Sequence, residues 1–495
     1  MNLGKTFAAV GEKRDVKGGN IGAQAEPERS QGDYLWASLI ATLALALRVF
    51  VAIYFVSEPV WDGHYYHFGA ARLAHGLGYS EDVFRLGQWV WKPWTHYPVG
   101  YPFFLSLFYR VLGTHVWVAT VANALVGSVT VFAIHRIALP SLGPIRARVA
   151  ALIAAFHPGL VLYTAVVMSE PLAAALTIFA VWAVTSTRPR FLGLVLGGVV
   201  LGLSVLVRPS ALLTIPLFFF VVAGDFKKKV LSTALVGVFC FAAVLPWTYR
   251  NCRRMDGCVL VSTNAGWNLA IGALTTTGRF QPLRASDGCP VVTGQVQQDR
   301  CFWDVGMKVI LRHPIAWLKL APAKLSQTFD HESFAIEYLR EGNPSIWPES
   351  RRVVYRERLT FVHRLVLVAS GLCLISLSLK RRALKTVGIY VQLTLLVALL
   401  VTAKVLFEQE IHPFFWVALA FPLIALLPLP GRPFFCGPVA FGLGFLALTA
   451  MTHIVFFGDD RYHLVVTPLL CVLVAAELRA PGNSMLPRGP DQQPT

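Results

Sequence analysis

The stretch YLWASLIATLALALRVFVAIYFV, residues 34–56, decides the fold class because it is the first long apolar run of the sequence. It is longer than the core of a signal peptide, about 7–15 residues, and no small-residue cleavage pattern follows it. It also reaches the length of about 20 residues that a membrane-spanning helix needs. We therefore expect a retained anchor after a disordered cytoplasmic leader, residues 1–33, whose basic residues are Lys5, Lys13, Arg14, Lys17 and Arg29.

Apolar runs of the same kind recur along the whole chain. Of its 495 residues, 55% are hydrophobic and only 14% are charged, whereas roughly 25% are charged in an ordinary soluble domain. An open backbone finds no hydrogen-bond partner in lipid, so the runs must be helices, and they are too long for barrel strands. The sequence predicts an all-α polytopic membrane domain, residues 34–478, with about twelve spans. The further windows are 116–139, 148–168, 171–187, 191–207, 209–223, 229–247, 359–379, 384–406, 411–428, 434–457 and 462–478.

The basic residues indicate how the chain is oriented. The formal charge of +17 is spread between the apolar runs and forms no free basic domain, so we expect no nucleic-acid partner. With the N-terminus in the cytoplasm, most lysines and arginines of the short loops lie inside, as membrane proteins prefer. The loops 57–115 and 248–358 then face outward, the latter after the seventh span, and 479–495 forms a disordered cytoplasmic tail.

The second outer loop contains an even set of cysteines: Cys252, Cys258, Cys289 and Cys301. An even set outside the cytoplasm is typical of disulfides. Pairing of Cys252 with Cys258 and of Cys289 with Cys301 is expected, although four cysteines allow three connectivities and free thiols are the alternative. Residues 312–337 read as one amphipathic surface helix with Lys319 and Lys324 on its polar side.

The first outer loop carries the most informative polar residues. In VWDGHYYHFG, residues 60–69, Asp62 stands among aromatic residues at the start of a short interfacial helix pattern. A simple helix cap is the alternative role for Asp62. Further on, KPWTHYPVGYPFFLSLFYRVLG, residues 92–113, contains an apolar segment too short to span, so it should also lie in the interface. Two interfacial helices would cover a place where a lipid headgroup meets a polar reactant.

A series of short motifs resembles one enzyme group. In order, the motifs are DGHYY (62–66), HYPVGYPFFLSLFYRVLG (96–113), HPGLVLYTAVVMSEP (157–171), LVRPSALLTIP (206–216), LPWTYRN (245–251), STNAGWNLAIG (262–272) and DDRYHLVVTPLL (459–470). The series resembles the polyprenyl-phosphate-dependent C-type glycosyltransferases. Within that group it is similar to the branch of the aminoarabinose lipid A transferases and the galacturonic-acid transferases of lipopolysaccharide core, and more distantly to the protein O-mannosyltransferases.

The resemblance implies transfer of a sugar from a polyprenyl phosphate in the outer leaflet to a lipid A, glycan or protein acceptor on the same side. It also implies a bacterial inner membrane with the active site facing the periplasm and lipids around the protein. No nucleotide is used, and neither nucleotide-binding glycine motif occurs in the sequence. A multi-span transporter or a flippase of lipid-linked sugars is the alternative, which predicts charged or broken helices at mid-membrane.

The resemblance implies two acidic residues with chemical roles. Asp62 matches the catalytic carboxylate by position, and we expect it to take the acceptor proton after its aromatic neighbours have raised its pKa by desolvation. Glu170 matches the second acidic residue, which would position the acceptor or share a divalent metal with Asp62. The alternative for Glu170 is a helix N-terminal acid stabilised by the dipole. No cofactor beyond that optional metal is expected.

Arginines at outer helix ends are the candidates for binding the donor phosphate. Arg250 and Arg461 match positions that the family links to that phosphate, and Arg208 is a third candidate, with snorkelling to lipid phosphates as its alternative. Where the aminoarabinose transferases have Glu-Lys-Pro, this chain has His96-Tyr97-Pro98, so Lys92 is the nearest replacement for their lysine. The side chains expected to line the sugar or acceptor site are Tyr65, Tyr66, Tyr97, Tyr101 and Asn264.

Overall fold

The computed structural model describes residues 31–290, 294–379 and 437–477. Its helices are α1 Gln31–Tyr54, α2 Asp62–Ala74, α3 Gly100–Leu112, α4 Val116–Leu142, α5 Pro144–Phe156, α6 Pro158–Leu162, α7 Glu170–Ser186, α8 Arg190–Val207, α9 Phe226–Arg254, α10 Ala265–Leu274, α11 Gln295–Arg312, α12 Pro314–Lys319, α13 Ala321–Phe329, α14 Phe334–Gly342, α15 Glu349–Leu379, α16 Gly437–Val455 and α17 Thr467–Glu477. Two strands, β1 Ser80–Arg85 and β2 Gln88–Pro93, and the 3₁₀ segments Tyr163–Ala165, Pro209–Phe220, Ala285–Asp287 and Asp460–Val465 complete the described elements.

The membrane-spanning character of the chain is confirmed in outline. Within the described ranges, α1, α4, α8, α9 and α16 are long and apolar enough to cross a membrane, and a bent helix pair adds a sixth. Elsewhere α7 is a shorter apolar helix, and the window 209–223 is largely a 3₁₀ segment. The windows 384–406 and 411–428 lie outside the described residues. The predicted number of about twelve spans is therefore not established.

One expected span, 148–168, is broken. It consists of α5 followed by Pro158–Ala165, and the two pieces are bent by 53°. A proline cannot continue the helical hydrogen bonds of the preceding turn, so Pro158 begins a new helix. The last carbonyls of α5 are taken up by Arg48 of α1, whose guanidinium donates to the oxygens of Ala154 and Ala155, each at 2.9 Å.

Replacing Arg48 with leucine is expected to destabilise this bend. Each buried carbonyl left without a donor costs about 1–3 kcal/mol, so two of them should lower the free energy of unfolding by about 2–6 kcal/mol. Denaturant titration of the purified protein in detergent measures the loss. The exposed Arg190→Leu variant serves as the control and should unfold within about 0.5 kcal/mol of the unchanged protein. Equal stability of both variants would mean that Arg48 does not support the bend.

The segment 57–115 contains the two short helices expected there, α2 and α3, and also an antiparallel hairpin of β1 and β2. The hairpin corrects the all-α expectation for this loop. Its turn consists of Leu86 and Gly87, with φ of 50° and 82°, the left-handed pair that suits a two-residue hairpin turn. Arg72 of α2 fastens the hairpin to the helix by a 2.8 Å ion pair with Asp82.

The segment predicted as the second outer loop, 248–358, is folded largely into short helices. The segment read as one amphipathic helix over 312–337 is divided into α12, α13 and the start of α14. Lys324, expected on the polar side, is fully buried and donates its Nζ to the Ile454 carbonyl at 2.9 Å. The loop contains the disulfides Cys252–Cys258 and Cys289–Cys301, which are the pairings expected from the sequence.

Candidate functional site

Asp62 and Arg461 meet at the centre of the site although they lie at opposite ends of the chain. Arg461 NH1 is 2.5 Å from Asp62 Oδ2, and the Tyr97 hydroxyl donates to Asp62 Oδ1 at 2.7 Å. Asp62 is the first residue of α2 and follows Trp61, whose φ of 50° is unfavourable for a residue with a side chain. Packing of the Trp61 ring on Phe334, at 5.5 Å between ring centroids, supports that backbone conformation.

A second ion pair lies beside the first. Glu170, at the start of α7, is 2.6 Å from NH1 of Arg208, which immediately follows α8. Arg461 Nε lies 4.0 Å from Glu170 and 3.6 Å from Asp459, so its guanidinium is shared among carboxylates. The four groups Asp62, Arg461, Glu170 and Arg208 therefore form an alternating chain of charges.

Local sequence explains why these side chains stay at helix ends. Pro171 suits the first turn of α7, where no backbone donor is needed, and so leaves Glu170 at the positive end of the helix dipole. Pro209 cannot continue α8, so Arg208 ends it in an extended conformation. Asp459 accepts from the Arg461 backbone N–H at 3.2 Å and so begins the 3₁₀ segment that carries Arg461.

The electrostatics of Asp62 differ from expectation. Burial by itself would raise the pKa of Asp62, but the Arg461 guanidinium and the Tyr97 hydroxyl outweigh it, and the pKa is lowered. The expected rise through aromatic desolvation is thus wrong for this state, because the sequence did not show that a cation would touch the carboxylate. Burial lowers the pKa of His96 and raises that of Asp459 to about 7.

Two cavities meet at this ion pair. We call the first, of about 330 Å³, the aromatic cavity, because its wall includes Tyr66, Tyr97, Trp267, Phe280, Phe456, Phe457 and Tyr462. Glu170, Arg208, Asn264 and His453 add polar groups to it. The second, of about 660 Å³, is called the basic cavity after its arginines Arg279, Arg352 and Arg356, although His331 and the carboxylates of Glu337, Asp459 and Asp460 also line it. Asp62 and Arg461 border both cavities.

The candidate residues divide into those that line one of the cavities and those that line neither. Those that line the aromatic cavity are Asp62, Tyr66, Tyr97, Glu170, Arg208, Asn264 and Arg461, and Tyr65 lines the basic cavity. The other three candidates border neither cavity. Tyr101 is fully buried and donates to Asn123 at 3.0 Å, and Lys92 lies opposite Glu81 in the register of the hairpin. Arg250 donates to the carbonyls of Tyr79 and Trp94, so it holds the ends of the hairpin segment.

Several wall residues lie inside the quoted motifs but were not predicted from them. His96, Trp267, Asn268 and Tyr462 belong to quoted motifs but were not singled out as candidates. Arg279, Arg352 and Arg356 of the basic cavity come from segments with no motif, namely the loop after α10 and the first turns of α15. Only their shared position in space marks them as a group.

A divalent metal shared by Asp62 and Glu170 does not fit this geometry. Arg461 lies between the two carboxylates, with Nη1 on Asp62 and Nε 4.0 Å from Oε1 of Glu170, and Arg208 contacts the same Oε1 at 2.6 Å. The other oxygen of Glu170, Oε2, is buried without a hydrogen-bond partner. Two guanidinium groups therefore already supply the positive charge that a metal would bring.

A family model described as dolichyl-phosphate-mannose-protein mannosyltransferase matches residues 96–249. For that segment, the resemblance to the C-type glycosyltransferases is confirmed. The segment contributes Tyr97, Glu170 and Arg208 to the site. No curated protein matches the sequence.

Solved structures of membrane glycosyltransferases are similar at low identity. One is the Archaeoglobus fulgidus oligosaccharyltransferase AglB in complex with an inhibitory peptide and a dolichol-phosphate, at 12% identity and a TM-score of 0.40, over 90% of this chain and 50% of that one. Another structure of that enzyme holds Zn and sulfate, at 14% identity and a TM-score of 0.41, over 88% of this chain and 48% of that one. ArnT from Cupriavidus metallidurans bound to undecaprenyl phosphate matches at 14% identity and a TM-score of 0.38, over 89% of this chain and 77% of that one. This chain spans about half the length of the archaeal enzyme.

Proposed function

We propose that this protein is a membrane glycosyltransferase that moves a sugar from a polyprenyl phosphate to an acceptor on the outer side of a bacterial inner membrane. The observation that supports this most strongly is the Asp62–Arg461 pair in the wall between two cavities. A base and a phosphate-binding cation are the two groups that such a transfer needs. The family match over 96–249 is consistent with the same reaction class.

The donor occupies the aromatic cavity in this proposal. Arg208 and Arg461 both border it, and a guanidinium presents a planar set of donors that matches the oxygens of a phosphate. Arg208 uses NH1 for Glu170, and its other N–H groups remain to meet the phosphate. The aromatic rings of the wall offer flat apolar faces to the sugar and the first units of the lipid.

Arg461 couples donor binding to the activity of the base. A phosphate that draws Arg461 toward itself weakens the contact with Asp62, and the pKa of Asp62 then rises from its lowered value. Asp62 takes the proton of the acceptor hydroxyl while that oxygen forms a bond to the anomeric carbon. The bond between that carbon and the phosphate oxygen breaks, and the two arginines stabilise the departing phosphate. Glu170 keeps Arg208 in place.

The acceptor enters through the basic cavity. Arg279, Arg352 and Arg356 line it, and Arg352 and Arg356 are partly neutralised by Glu337, at 2.8 and 3.7 Å. With Asp62, Asp459, Asp460 and Arg461 also in the wall, four arginines face four carboxylates, so the lining suits a polar acceptor such as lipid A, a glycan or a protein segment without selecting its charge. Asp62 lies at the shared wall, where an acceptor hydroxyl meets the donor sugar.

Mass spectrometry of lipopolysaccharide, glycolipids and protein glycans from a deletion strain tests the proposal. One sugar should be missing from one of these fractions and should return when the gene is restored. A flippase would instead leave the sugar attached to its lipid phosphate in the purified system. A transporter would also have a broken helix such as the one beside Arg48. Here the break has a structural explanation, because the Arg48 N–H groups cap the end of α5.

Replacing Tyr97 with phenylalanine should change the pH dependence of transfer. Asp62 works as a carboxylate, so activity is lost as the pH falls through its pKa, which Tyr97 helps to hold low. Removing a hydrogen bond to a charged group, worth about 1.5–3 kcal/mol, should raise that pKa by about one to two units. The acid limb of the profile of kcat/KM against pH should move upward accordingly. Tyr65→Phe is the control, because the Tyr65 ring stacks on Tyr97 whereas the hydroxyl that donates to Asp62 is that of Tyr97. The acid limb of this variant should stay in place.

A further inference from the structure

A second group of buried polar side chains lies outside the site described above. It consists of Glu332, between α13 and α14, His363 of α15 and His463 of the 3₁₀ segment Asp460–Val465, and we call it the Glu332 cluster. One carboxylate oxygen of Glu332 and one ring nitrogen each of His363 and His463 all lie within 4.8 Å of one another. The exposed fraction of each of the three side chains is 1% or less.

The atoms that face each other in the Glu332 cluster lack hydrogen-bond partners. Both oxygens of Glu332, Nδ1 of His363 and Nε2 of His463 are buried without a partner. A buried polar atom without a partner costs about 1–3 kcal/mol, and several at one place are unusual in a native protein.

The opposite nitrogen of each ring is anchored to the backbone. His363 Nε2 lies 2.8 Å from the Phe329 carbonyl, and His463 Nδ1 lies 2.7 Å from the Thr328 carbonyl. A carbonyl can only accept, so each anchored nitrogen carries the proton and each facing nitrogen presents a lone pair. Metal-binding histidines are oriented in this way, with the second nitrogen donating to a carbonyl or carboxylate.

We propose that Glu332, His363 and His463 bind one divalent metal ion of the zinc class. Two imidazoles and a carboxylate are ligands that zinc accepts, at about 2.0–2.2 Å. The two rings stack with 3.9 Å between their centroids, so one ring must turn for both lone pairs to meet one ion. The ion would supply the missing partner for every facing atom of the Glu332 cluster. Gly159 leaves room for the carboxylate, because a Cβ there would overlap it.

The ion would join three separate parts of the outer region. His463 lies two residues after Arg461, and the same segment is held to the chain after Glu332 by Asp460, which accepts from the Ser333 hydroxyl at 3.0 Å and the Phe334 N–H at 2.8 Å. Fixing Glu332 and His463 to His363 would therefore fix the segment that presents Arg461 to Asp62. The metal is structural in this proposal and takes no part in sugar transfer.

Zinc binding to the purified full-length protein tests the proposal. After treatment with a chelator, the protein in detergent should take up one equivalent of Zn²⁺, and Co²⁺ should give the visible absorption of a tetrahedral site. Glu332→Gln and His463→Asn should each weaken Zn²⁺ binding by at least about 100-fold, because even residues that only orient a ligand contribute about 10–100-fold. His135→Asn is the control, since His135 is also buried with both ring nitrogens unpartnered but lies apart in α4.

Thermal unfolding gives a second readout that does not depend on activity. Zn²⁺ should raise the Tm of the unchanged protein and of His135→Asn, and it should leave the Tm of Glu332→Gln unchanged. Without metal, Glu332→Gln should melt at or above the Tm of the unchanged protein, because a buried carboxyl group has been replaced by a neutral amide. Binding of Zn²⁺ that is equal in the unchanged protein and Glu332→Gln, or absent in both, overturns the proposal.

Discussion

Asp62→Asn is expected to abolish sugar transfer while the protein still folds. General acid–base catalysis contributes about 10²–10⁴-fold, so kcat should fall by at least about two orders of magnitude. The amide keeps an oxygen that can accept from Tyr97, but it cannot take the proton of the acceptor hydroxyl. Turnover by the purified protein with its donor lipid measures the loss, and circular dichroism with thermal unfolding verifies the fold.

A matched control for Asp62→Asn exists in the same outer loop. Asp82 forms a 2.8 Å ion pair with Arg72 and lines neither cavity of the site. Asp82→Asn therefore removes an aspartate–arginine pair of similar geometry without touching the site, and transfer should persist. If Asp62→Asn kept its turnover, the base would be another group, and Glu170 would be the first to test.

Arg461→Met should have the second largest effect, on both stability and donor binding. The substitution leaves Asp62 without its cation and takes a cation away from Glu170 and Asp459. Removing one partner of a buried ion pair costs about 3–5 kcal/mol, because the other charge stays buried without compensation. Denaturant titration should show that loss, and affinity for polyprenyl phosphate should fall in the same variant.

A double variant separates the effect of the lost ion pair from a general destabilisation of the fold. Arg461→Met combined with Asp62→Asn removes the uncompensated charge, so it should be more stable than Arg461→Met alone. Arg461→Lys keeps the charge but has no planar fork to share among carboxylates and phosphate, so it should fold well and bind polyprenyl phosphate weakly. An Arg461→Met protein with unchanged stability and unchanged lipid affinity would show that the ion pair has neither role.

Hydrophobic length alone predicts most of the described spans. The window 34–56 corresponds to Gln31–Tyr54, 116–139 to Val116–Leu142 and 191–207 to Arg190–Val207. It does not predict the bend at His157-Pro158 or the β-hairpin, because both depend on local backbone chemistry inside a run or loop. The signals were present in the sequence, as a proline within an apolar run and as Gly87 between short runs of valine and aromatic residues.

The site was less predictable than the spans because a sequence shows which end of a helix a residue occupies but not where its side chain points. Arg208 and Arg250 both lie near outer helix ends, yet one borders the aromatic cavity and the other binds backbone carbonyls of the hairpin segment. Lys324 is a similar case. The amphipathic pattern predicted it on the polar side of a helix, whereas the structure buries it in a contact with the Ile454 carbonyl. The alternating charges around Arg461 depend on contacts between distant segments that no local pattern contains.

The most direct measurement follows the fate of the lipid-linked sugar itself. Purified protein in nanodiscs is given a panel of synthetic polyprenyl-phosphate hexoses and pentoses together with an outer-membrane lipid extract, and the lipid products are analysed by mass spectrometry. The proposed function predicts that one of these donors is converted to free polyprenyl phosphate with its sugar on an acceptor, and that Asp62→Asn leaves that donor intact. Equal consumption of that donor by the Asp62→Asn protein, or no consumption of any donor by the unchanged protein, would contradict it.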